Sequence, residues 1–136
     1  MYDELQSYAF TTNGLTLDAL NRKSTRLAEE YALTTVGPEG LDYGWIENAH
    51  NFSSPMYYIS YATSIVPALQ IMDLSLTDRP KAIQVYNDIV ASDPELSFSE
   101  VVQQAGLGDP FDEQTIVDVV NAIVDYTGVG RHVSVG

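Results

Sequence analysis

Apolar residues recur along this chain at spacings of three and four, and sustained two-residue alternation is scarce, which predicts helices rather than strands. Turn punctuation falls at Asn13-Gly14, Gly37-Pro38-Glu39-Gly40, Asp93-Pro94 and Gly106-Leu107-Gly108. A first short helix is expected over residues 1–10. The second starts at Thr16, whose hydroxyl can accept from an early N–H that lacks an intrahelical partner. Leu17, Leu20, Leu27 and Tyr31 then lie along one stripe, wide enough to pack on one neighbour.

Residues 34–55 show no clear period and read as an ordered loop with one short helix near Trp45. From Pro55 a long apolar segment runs to Leu74, with Pro55 suited to a first helical turn. Pro67 inside it removes a hydrogen bond, so the segment is one kinked helix or two. Three more helices are expected: one after Asp78 with Pro80 in its first turn, one after Ser97, and one over residues 112–126. Ser97-Phe98-Ser99-Glu100 has the form of a capping box, and Gly106 is a natural left-handed stop. In the last helix Ile116, Val119, Val120 and Ile123 keep helical spacing despite β-branching, and Gly128 ends it. Residues 129–136 are unpatterned and expected to fray. The reading is a single all-α domain over residues 1–136, an irregular multi-helix bundle.

Composition changes the picture mainly by exclusion. With 136 residues, 45% of them hydrophobic, the chain can bury one core without disulfides. Nineteen acids against six bases give a net charge of -13, which repels a phosphate backbone, so nucleic acid is not an expected partner. Residues 27–78 and 82–130 contain no Lys or Arg, and the cluster Arg22, Lys23 and Arg26 reads as a solvated helix face. The absence of cysteine excludes a thiolate nucleophile and a Cys-ligated metal site. The acidic start has no apolar run behind it and no stretch approaches the roughly 18 apolar residues of a membrane span. Taken together, these features read as soluble and cytoplasmic, with no membrane partner.

The two histidines, His50 and His132, have no second His or Glu at helical ligand spacing, so no metal site is expected within the chain. His132 reads as a surface residue. Around His50 the composition is unusual: Tyr43, Trp45, Phe52, Tyr57, Tyr58 and Tyr61 place six rings within 19 residues of sequence. One reading is a packed corner whose tyrosine hydroxyls reach water. The other is functional: Tyr57 and Tyr61, four apart on one helical face, with His50 on the preceding loop, can donate hydrogen bonds to one oxyanion.

The run His50-Asn51-Phe52-Ser53-Ser54-Pro55-Met56-Tyr57-Tyr58-Ile59-Ser60-Tyr61-Ala62-Thr63 resembles a segment of the oligoendopeptidase F and thimet oligopeptidase family of zinc metallopeptidases. Residues 15–31, the Tyr43-to-Ile46 approach and residues 81–126, including Tyr86 and the Phe98-to-Gly106 unit, are similar to the family's neighbouring helices. Ile59 and Met56 depart from it, each standing where relatives carry a ring. The resemblance implies the C-terminal part of a larger, saddle-like helical peptidase with a deep channel. Its zinc would be held by a His-Glu-x-x-His helix and a downstream Glu in a missing N-terminal half. It implies that His50, Tyr57 and Tyr61 act as transition-state hydrogen-bond donors, with Tyr58, Phe52 and Trp45 as substrate contacts. The expected substrates are short peptides, the expected partners the zinc-binding half or a second copy, and the chain alone is expected to be inert. The alternative is a non-catalytic helical module that binds peptides or dimerises.

Overall fold

The computed structural model describes residues 1–31 and 44–136, and among them are eight helices and no strand, the expected all-α class. The Gly37-Pro38-Glu39-Gly40 turn and Tyr43 lie outside the described residues. Helix starts follow the sequence signals closely. Thr16 accepts from Ala19 N–H at 3.2 Å, Asp78 from Lys81 N–H at 3.0 Å and Asp112 from Thr115 N–H at 2.9 Å. Ser97 and Glu100 close the capping box, with Ser97 N–H donating to the Glu100 carboxylate at 2.8 Å. Those hydrogen bonds hold the Glu100 carboxyl below the ordinary glutamate value.

The chain forms two compact units, Met1–Tyr61 and Ala62–Gly136. The first contains α1 (Tyr2–Thr11), α2 (Leu17–Glu30), α3 (Gly44–Glu47), α4 (His50–Ser53) and the opening turn of α5 (Tyr58–Thr77). Helix α1 packs on α2 and buries Leu5, Leu27 and Ala28. The expected stripe is narrower than its sequence pattern, since Leu17 and Tyr31 at its two ends are exposed and Ser24 shares the buried side. Lys23 also departs from the solvated-face reading: its ammonium pairs with Glu4 of α1 at 2.8 Å, while Arg22 does pair in solvent with Asp18.

The second unit holds the rest of α5, then α6 (Arg79–Val90), α7 (Phe98–Gln104) and α8 (Glu113–Thr127). Helix α6 packs on α7, with Ala82, Val85 and Val102 buried. Pro55 does not open α5, because the left-handed turn at Met56 (φ 60) intervenes and the helix begins at Tyr58. It then runs unbroken through Pro67, and of its 20 residues only Val66 and Pro67 are buried. By length and composition α5 is long and apolar enough to cross a membrane, contrary to the reading from uninterrupted apolar runs, because its Ser, Thr and Tyr residues do not interrupt the helix.

Gln70 of α5 holds the loop before α8 with both ends of its carboxamide. Its Oε1 accepts from Gly108 N–H at 2.7 Å and its Nε2 donates to Gly108 C=O at 3.1 Å. A Cβ on Gly108 would lie 2.6 Å from Thr115 Oγ1 and 3.0 Å from Thr115 Cγ2. Within residues 129–136, Val133 is bonded to Asn121 and His132 to Asp125, contacts the sequence reading did not foresee. Gly108→Ala is expected to destabilise the second unit by about 1–3 kcal/mol through overpacking. Adding Thr115→Ala, which removes both crowding atoms, should recover most of that loss in urea unfolding, and additive losses would refute the steric account.

Candidate functional site

The site is assembled from the side of α1. Gln6 is 7% exposed, and a buried carboxamide must find partners for both of its ends. Its Nε2 donates to the Asn51 carbonyl at 3.3 Å and to Asn51 Oδ1 at 3.2 Å, and its Oε1 accepts from Met56 N–H at 2.5 Å. Asn51 in turn donates to the Trp45 carbonyl at 2.7 Å, and the Trp45 indole donates to Asn21 of α2 at 3.0 Å. These bonds tie residues 45–56 to α1 and α2. They also hold Met56 in the left-handed region, which side chains other than glycine adopt at a cost.

That turn brings Tyr57 back over His50. The two rings are parallel within 6° with centroids 5.8 Å apart, and Tyr58 meets His50 edge-on at 5.5 Å. Tyr61 meets Tyr57 edge-on at 5.1 Å and lies 6.0 Å from Tyr58. His50, Tyr57, Tyr58 and Tyr61 are thus brought together. His50 heads α4 rather than sitting in a loop, and Tyr57 stands just before α5. Trp45 and Phe52 form a second pair at 6.0 Å, with Trp45 engaged through its indole and Phe52 exposed.

Sequence reasoning missed three participants. Tyr2 of α1 lies 5.0 Å from Tyr58, the Asn48 carboxamide oxygen accepts both the Tyr58 hydroxyl and, at 3.3 Å, the His50 N–H, and Gln6 holds the turn. Tyr2 and Gln6 are separated by more than forty residues from what they touch, and nothing local marks them.

Tyr57 and Tyr61 are 45% and 53% exposed. Tyr58 is committed to Asn48. The Tyr61 phenol is held above its ordinary value of 10.0, first by a side-chain hydrogen bond with Tyr57, then by desolvation and the neighbouring phenols. That hydrogen bond joins the polar ends of the two phenols. Among the described residues no hydrogen bond engages a His50 ring nitrogen. The arrangement brings a half-buried imidazole and two partly exposed phenols together, residue types suited to a carbonyl oxygen that gains negative charge.

No family model matches the chain, and no curated protein and no solved structure matches it. The site stands on its geometry. Among the described residues no three His, Asp or Glu side chains form a group that could hold a metal ion.

Two expectations follow. Replacing Gln6 with Leu orphans Met56 N–H and is expected to destabilise the first unit by about 1–3 kcal/mol, with loss of the His50–Tyr57 ring-current shifts in an NMR spectrum. Since the raised value favours the neutral phenol, Tyr61 should stay protonated as pH rises past 10.0 and ionise only above it. Tyr57→Phe removes the largest cause and should lower that midpoint in a tyrosine-ring NMR titration; an unchanged midpoint would contradict the hydrogen bond.

Proposed function

We propose that this chain is the substrate- and transition-state-binding C-terminal portion of a zinc metallo-oligopeptidase that hydrolyses short peptides. In this reading the metal belongs to another polypeptide segment, and the chain's own residues bind and polarise the peptide. The observation that carries it is the convergence of the His50, Tyr57 and Tyr61 rings, both phenols partly exposed. A peptide carbonyl placed there accepts from an imidazole N–H and a phenol O–H, bonds that strengthen as its oxygen becomes an oxyanion. The hydrogen bond with Tyr57, the largest cause of the raised Tyr61 value, joins the two phenols on the side where the peptide would lie. Tyr58, fixed by Asn48, serves as a wall for the substrate, and Phe52 offers an exposed apolar contact beside Trp45.

The largely exposed apolar surface of α5, including Ile59 and Ile65, fits a helix that a further segment covers. It equally favours a second reading, a non-catalytic helical module that binds peptides or pairs with a second copy. Zinc analysis and a titration with a fluorescent short peptide, run on the chain and its variants, test both. Saturable binding without turnover, weakened by about 3- to 10-fold each in His50→Ala and Tyr61→Phe, is expected. Stoichiometric zinc with chelator-sensitive cleavage by the chain alone, or binding indifferent to both substitutions, would overturn the assignment. Joined to a zinc-binding half, Tyr61→Phe should lower turnover by about 10²–10³ while the non-catalytic module would show no turnover to lower.

A further inference from the structure

Residues 129–136 double back along α8. Two left-handed glycines make the reversal, Gly128 at φ 65 and Gly130 at φ 101. The returning chain comes so close that a Cβ on Gly130 would stand 3.3 Å from Val124 Cγ2. His132 Nε2 then lies 2.8 Å from Asp125 Oδ1. Further along, Asn121 takes both backbone groups of Val133, accepting from its N–H at 2.8 Å and donating to its C=O at 3.0 Å.

A carboxamide paired with the N–H and C=O of one residue reads backbone and not side chain, so it accepts any extended residue that can present both groups. Asp118, Asn121 and Asp125 recur at spacings of three and four and share one face of α8. Two carboxylates therefore flank the clamp on a chain of net charge -13, which favours a cationic occupant. The bonds to Val133 and His132 are solvent-exposed, and bonds of that kind contribute little net stability, so the segment can exchange. The equivalent Gln70 clamp on Gly108 is part-buried and closed off by Thr115.

We infer that the Asp118–Asn121–Asp125 face of α8 is a binding site for extended cationic peptides. Asn121 holds the backbone of one residue, Asp125 holds the basic side chain immediately before it, and residues 129–136 are the internal occupant. The site is separate from the His50 cluster and does not depend on its assignment.

The test uses the full chain carrying His132→Ala and Val133→Pro. Proline gives Asn121 no N–H and alanine gives Asp125 no partner, so the internal segment lets go. A labelled synthetic peptide with the sequence of residues 129–136 should bind this variant about tenfold or more tighter than the unmodified chain, whose own segment competes at an effective concentration on the order of millimolar. Adding Asn121→Leu, which keeps the shape but loses both the donor and the acceptor without adding charge, should weaken binding by about tenfold, as should Glu in place of Arg131 and His132 in the peptide. Helicity by circular dichroism checks that each variant is folded. Equal binding to the opened and unmodified chains, or binding indifferent to Asn121→Leu, would overturn the inference.

Discussion

The pairing of side-chain carboxamides with backbone groups is the interaction on which the described loops of this protein depend. With six basic residues and no cysteine, the chain has few means of cross-linking its loops to its helices. Gln6 holds Asn51 and Met56, Asn51 holds Trp45, Gln70 holds Gly108 and Asn121 holds Val133. An amide matches a peptide group in kind, donor to acceptor and acceptor to donor, and carries no charge that burial would penalise. A buried ion pair in the same place would have to offset the desolvation of two charges before stabilising anything.

The aromatic cluster inherits its geometry from the first of these pairings. His50 and Tyr57 are seven residues apart, and neither lies in a regular element long enough to aim it. What makes their rings parallel is the left-handed Met56 between them, and what holds Met56 is an amide oxygen from α1. Tyr58 is set from the other side by Asn48, which also takes the His50 N–H. The rings are thus oriented by the buried Gln6 and the half-buried Asn48, an arrangement by which donors are kept ready for a charge that has not yet formed.

Helices were legible in the sequence because their signals are local. Thr16, Asp78, Ser97, Asp112 and Gly128 each act within one turn of where they stand, and each does what its residue type favours. The grouping of His50 with Tyr57 and Tyr61 was legible for the same reason, all lying within one short stretch. The start of α5 was not, since a proline suited to a helix start gave no sign that the next residue would turn left-handed. Nor was the holding of residues 129–136, which rests on Asn121 twelve residues back and on a glycine that looks like any other in a small, polar segment. Gln6 was the least visible of all: a glutamine in an acidic first helix reads as surface until the chain it supports has folded against it.

Met56 also sets how sharply the cluster is defined. A residue with a side chain has few backbone states to choose from, and the left-handed one is seldom among those populated in the free chain. Glycine at this position would lie there without strain, yet it would open several other states to the unfolded and partly folded chain alike. The methionine therefore exchanges intrinsic comfort for definition: the hinge between His50 and Tyr57 has one resting place, and the entropy of arranging the two rings is lost during folding rather than at each encounter with a ligand.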